Sequence, residues 1–147
     1  GATIEELATW LEEHKLNLCH WFTVDDLMYL KRGGRISAAT AVVGTMLQIK
    51  PVLHVDDEGH LISVSKARGR KAAINTLASK LAEDGGDWDN STVFICHGDC
   101  LEEAQILADK VCQICKPKEL IICPHEPFTG SHVGPGMLAL FFFGEER

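Results

Sequence analysis

The chain lacks a surplus of positive charge. Its formal net charge is -7, which argues against general binding to nucleic acid. No apolar run reaches the length needed to cross a bilayer. The opening residues Gly1-Ala2-Thr3-Ile4-Glu5-Glu6 hold no basic stretch followed by an apolar core, so no signal peptide is expected. There is no G-x-S-x-G nucleophile elbow and no phosphate-cradling Walker lysine motif, which removes the commonest hydrolase and nucleotidase signatures. The six cysteines are too sparse for a small secreted disulfide scaffold, and reduced thiols in a cytoplasmic protein are the expectation. Cys112 and Cys115 have CxxC spacing, and Cys96, His97, Cys100, Cys123 and His125 are candidate zinc ligands. No second CxxC pair completes a ribbon, however, and several of these cysteines fall among apolar residues where free thiols are common. We therefore assign no metal and no cofactor from sequence.

What is present suits one folded domain: 147 residues, 46% hydrophobic and 24% charged. A capping box, Thr3-Ile4-Glu5-Glu6, opens an amphipathic helix over residues 4–15. Leu18 to Val24 reads as a strand in which His20 packs. Thr23 is placed to cap a short helix through Leu27, Tyr29 and Leu30, stopped at Gly33-Gly34. Ser37 is placed to cap a helix from Ala38 to Leu47. Lys50–Asp56 and His60–Lys66, joined by Asp57-Glu58-Gly59, form the clearest hairpin. A helix over Ala72–Leu81 follows, then a polar loop from Asp84 to Asn90. Strand Thr92–Cys96, the helix opened by Asp99-Cys100-Leu101-Glu102, and strand Glu119–Cys123 make a crossover unit with parallel strands. Pro124–Gly136 reads as a loop, and Leu138–Phe143 as the last strand, with Phe141-Phe142-Phe143 in the sheet core. The expected fold class is α+β, in two layers: a mixed sheet of about six strands with helices mainly on one face.

Positive charge is concentrated within this acidic chain. Lys31, Arg32 and Arg35 form one cluster, and Lys66, Arg68, Arg70 and Lys71 another. Arg32 and Arg35 beside a helix start make a natural corner for a small anion. The second candidate is Thr129-Gly130-Ser131-His132-Val133-Gly134-Pro135-Gly136. Gly134 and Gly136 allow positive φ, and Pro135 stiffens the turn, so His132 and nearby N–H groups can be held toward a carboxylate or phosphate oxygen. Read from residue types alone, this stretch is also consistent with a plain turn into a strand.

Four stretches together resemble the DegV family: Leu30-Lys31-Arg32-Gly33-Gly34-Arg35-Ile36-Ser37; Ile49-Lys50-Pro51-Val52-Leu53 with Asp57-Glu58-Gly59 and Arg68-Gly69-Arg70-Lys71; Cys96-His97-Gly98-Asp99; and Gly130 to Gly136. The resemblance covers the whole chain but only the C-terminal half of the family's architecture. It implies a domain that binds a long-chain fatty acid and presents the carboxylate to a partner fatty-acid kinase, and that is not itself an enzyme. It implies that His132 belongs to the polar network around the head group and that Arg35 and Arg68 lie near the mouth, toward the carboxylate or the kinase. The residues themselves add Thr129 and Ser131 as a polar end, Gly134 and Gly136 as the turn beside it, and Arg32 and Arg70 as further cations toward a partner. The resemblance also implies an N-terminal domain of the same protein, or a second copy of this chain, against the open side. Two other classes remain: a zinc-binding interaction domain, and half of an enzyme site using His97 or His132 as acid or base.

Overall fold

The computed structural model describes residues 1–37, 49–145 and 147. The expected Ser37-capped helix over Ala38–Leu47 lies outside the described residues. In chain order the elements are α1 (Ile4–His14), a 3-10 turn (Lys15–Asn17), β1 (Leu18–Thr23), α2 (Leu27–Arg32), β2 (Ile49–Val55), β3 (Leu61–Arg68), α3 (Arg70–Asp84), β4 (Thr92–His97), α4 (Leu101–Ile114), β5 (Glu119–Pro124), α5 (Pro127–Val133) and β6 (Leu138–Phe143). The six strands form one mixed sheet in the order β3-β2-β1-β6-β4-β5. β4 and β5 are parallel and joined through α4; the other pairs are antiparallel. The expected α+β class and strand count hold.

Strand alternation divides the core in two. Cys19, Trp21, Leu138, Leu140 and Phe142 point to one face with Val93 and Ile95, where α3 and α4 cover them with Ile74, Leu77, Leu107 and Val111. Phe22, Ala139 and Leu53 point to the other face, where the short α2 and α5 contribute Leu27, Leu30 and Val133. The long helices thus cover one face fully, and the short ones cover one end of the other. Burial of a Leu such as Leu77, at 0% exposure, contributes on the order of 2 kcal/mol.

Several local expectations change. Asp26, not Thr23, caps α2: its carboxylate accepts from the Met28 N–H at 2.8 Å, while Thr23 ends β1 and is fully buried. Thr23 is held in the sheet, paired with Val52 and Leu138, so the cap falls on an exposed carboxylate nearer the helix. α4 begins at an N-cap Cys100 whose side chain makes no capping bond. Pro124–Gly136 is not all loop. Glu126 accepts from the N–H groups of Phe128 and Thr129, Pro127 occupies the first turn, and α5 forms despite Gly130.

α1 carries its capping box but buries no residue. Ile4, Leu7 and Leu11, spaced along one face, remain 76%, 49% and 52% exposed.

Candidate functional site

The glycine-rich motifs meet at one end of the sheet. β1 reaches it at Thr23, β6 starts there at Leu138, and β4 ends there at His97. The Gly98 N–H donates to the Met137 carbonyl at 2.8 Å, and the Gly136 N–H donates to the Gly98 carbonyl at 2.6 Å. A Cβ on Gly98 would lie 2.9 Å from the Gly134 carbonyl oxygen, so this backbone pairing requires glycine. Gly134, at φ 76, closes α5 and leaves room for the Tyr29 ring of α2, which a Cβ would meet at 2.6 Å. α2 and α5 are thereby packed side by side.

That packing joins the basic cluster to the histidine loop. The space beside the Gly33 Cα is filled by His132: a Cβ there would lie 2.5 Å from Nδ1 of the ring. On its other side, the His132 ring meets Phe128 edge to face at 5.4 Å between centroids. Arg35 is exposed and donates from Nη1 to the Gly33 carbonyl at 2.5 Å. Thr129 donates its hydroxyl to Glu126, so it offers a guest an acceptor and not a spare proton.

These residues rim a groove of about 240 Å³ on the sheet face opposite α3 and α4. Its walls include Phe22, Leu30, Leu61, Val133, Met137 and Phe141, and its polar rim is Arg35, His125, Thr129 and His132. One further polar residue, His20, lines the groove from β1, opposite Phe141 and three residues from Thr23. The volume falls below the roughly 300–1,000 Å³ of a complete small-molecule pocket.

The groove therefore gathers Arg35, Thr129 and His132 from the expected head-group set. Gly134 and Gly136 shape the turn, while Ser131 faces outward and donates to the Phe128 carbonyl at 2.7 Å. Among the expected partner contacts, Arg32 is exposed over the Tyr29 ring, and Arg68 is exposed at the end of β3. Arg70 is occupied within the fold. Two of its N–H groups reach Glu103 at 2.7 and 2.9 Å, and its guanidinium lies 3.6 Å from Asp25, which also pairs with Lys50 at 2.8 Å.

Among the zinc candidates, Cys96, His97, Cys100, Cys123 and His125 lie together at the ends of β4 and β5, but their ligand atoms do not converge on one point. Cys112 is exposed near the C-terminal end of α4, which Cys115 closes, while Cys96 and Cys123 pair across β4 and β5 with their sulfurs 3.2 Å apart. Burial, followed by Cys123, pushes the Cys96 thiol up to about 12, which keeps it protonated. Among the described residues, the group able to converge on one ion is Asp56, Glu58 and His60 in the hairpin turn, a set the zinc alternative does not contain. His97 is 8% exposed and its Nδ1 accepts from the Cys100 N–H at 3.3 Å, which makes it a brace at the strand end.

Sequence reasoning missed two contributors. His20 was read as a packing residue; its even position in β1 puts it on the groove side with Phe22, a parity that alternation alone could have shown once that face was known to be open. Phe141, expected in the sheet core, packs against the Phe22–Leu53–Ala139 cluster and also lines the groove.

Among the described residues, the fold is an α+β domain with long helices on one sheet face and, on the other, an apolar groove with Arg35 and histidines among its lining. The DegV family model matches residues 1–145, and the chain belongs to the DegV family. A DegV domain-containing protein of Clostridium perfringens is 43% identical over 147 residues, covering 100% of this chain and 50% of that protein. A DegV lipid binding protein from Thermotoga maritima superposes with a TM-score of 0.80 at 32% identity, covering 100% of this chain and 51% of the other. A fatty acid binding DegV family protein from Streptococcus agalactiae gives 0.84 at 26% identity, with 99% and 51% covered. The chain spans about half the length of the relatives it matches. No helix among the described residues is long and apolar enough to cross a membrane.

Proposed function

We propose that this chain is the half of a two-domain fatty-acid carrier that holds the acyl chain in its groove and the carboxylate at its rim. One observation carries the reading: an apolar channel on the open sheet face ends at His132 and Arg35, two donors suited to an anionic head group. The fatty acids and lipids bound by the Streptococcus agalactiae and Thermotoga maritima relatives support it. An N-terminal domain supplies the missing wall, and in its absence a second copy of the chain covers the opening. The exposed Arg32, Arg35 and Arg68 offer a basic surface to a fatty-acid kinase that draws on the presented carboxylate. The chain acts as a binding module located in the cytoplasm, and no step of chemistry is assigned to His132.

The decisive experiment is a fatty-acid titration of the two-domain protein and its His132→Ala variant. Loss of a hydrogen bond to a charged group should weaken binding roughly tenfold to a hundredfold, equivalent to about 1.5–3 kcal/mol. Affinities within twofold of each other would remove His132 from the site.

A further inference from the structure

The floor of the groove contains a hydrogen-bonding group that an unsubstituted acyl chain does not need. His20 sits on β1 opposite Phe141, three residues from the Thr23–Leu138 pair at the rim. At about 3.3 Å per strand residue this places it roughly 10 Å along the channel from that end. The other polar lining residues, Arg35, His125, Thr129 and His132, belong to the rim; His20 stands apart among Phe22, Val55, Leu61 and Phe141. Its Nδ1 is sealed from solvent and has no hydrogen-bond partner among the described residues, which leaves Nε2 as the ring nitrogen a guest can meet. The Phe141 ring packs nearly perpendicular to the imidazole, at 87° and 5.4 Å, and fixes its plane. Burial, with a smaller contribution from Arg147, lowers its pKa to about 4, so the ring is neutral near pH 7.

A neutral imidazole in an apolar channel loses its hydration and gains nothing from a hydrocarbon tail. Leucine or phenylalanine would line the same channel without that loss. A hydroxyl group, in contrast, both donates and accepts, so it can pair with Nε2 in either ring tautomer. We propose that His20 is a specificity-determining residue that selects long-chain acids bearing a mid-chain hydroxyl. This rests on the fatty-acid reading above and names a subclass of its ligand.

The test uses the two-domain protein, with stearic acid and a series of stearic acids hydroxylated at successive mid-chain carbons as probes. The wild-type protein should bind stearic acid and should prefer one or two adjacent hydroxylated positions over it by roughly tenfold, the equivalent of one hydrogen bond. His20→Phe should abolish that preference while retaining stearic acid, and His20→Gln should keep part of it. Absence of any positional preference, or a preference that survives in His20→Phe, overturns the role of His20 and leaves the carrier function standing. Failure to bind any acid of the series overturns both.

Discussion

Gly33 and His132 are the residue pair on which the rim depends. They lie far apart in sequence and touch because the glycine has no side chain where the ring must sit. Gly33 has φ -74, so alanine suits its backbone, and the obstacle is steric alone. Gly33→Ala should therefore swing the ring out of its place with a stability cost below about 2 kcal/mol, because a surface imidazole can move. Fatty-acid affinity should fall nearly as far as in His132→Ala. Comparing the binding titration with thermal unfolding separates the two effects, and unaltered affinity would show that the ring position is immaterial.

A second residue-scale consequence concerns pH. The unfolded chain protonates an imidazole near 6.5, whereas the folded chain protonates His20 only near 4. Between those values the unfolded state binds more protons, so the fold loses stability as pH falls through that window and recovers it fully above 6.5. Burial also lowers the pKa of His125, which adds to the slope in the same direction. Asp84, raised by burial, acts with the opposite sign just above its ordinary value of 3.8. Urea unfolding followed from neutral to acidic pH should show the loss, and His20→Phe should flatten it. An unchanged slope in that variant would assign the effect to His125 or other groups.

At the scale of elements, α5 is a helix with poor credentials. It is seven residues long and includes Gly130 and the β-branched Thr129 and Val133. Glu126 anchors its start, and the buried Val133 with the Tyr29–Gly134 contact anchors its end. Because the helix carries both Thr129 and His132, loosening it should be felt at the groove. Glu126→Ala should lower fatty-acid affinity, though by less than His132→Ala. Amide exchange of Phe128 and Thr129, whose N–H groups the carboxylate accepts, should accelerate. Affinity and exchange both matching wild type would mean that the cap is dispensable.

At the scale of the molecule, apolar surface is left over. Ile4, Leu7 and Leu11 form an exposed stripe on α1 that nothing among the described residues buries, and Phe128 beside the groove is 70% exposed. Exposed apolar surface of this kind suits a protein–protein contact. The 147-residue chain should associate in a concentration-dependent manner, read by analytical ultracentrifugation. Replacing Ile4, Leu7 and Leu11 with glutamate should suppress that association with little change in Tm, since none of the three is buried. A large drop in Tm would show instead that α1 is integral to the fold.

The sequence by itself determined the strands, most helices and the α+β class, because period, caps and turn residues are local properties. It also marked the two motifs whose glycines meet at the rim, since positive φ and backbone pairing leave few other residues possible there. Only the tertiary structure decided which sheet face carries the groove, and with it that His20 and Phe141 line it. Alternation separates the two faces of a strand without saying which one long helices will cover. The same holds for Arg70, which joins the basic cluster in sequence but is enclosed by Glu103 and Asp25 from distant segments. It holds for α5 as well, whose weak propensity is overcome by a cap and by packing against α2. Local preferences of a few tenths of a kcal/mol per residue decide an element when they agree, and long-range contacts worth more decide it when they do not.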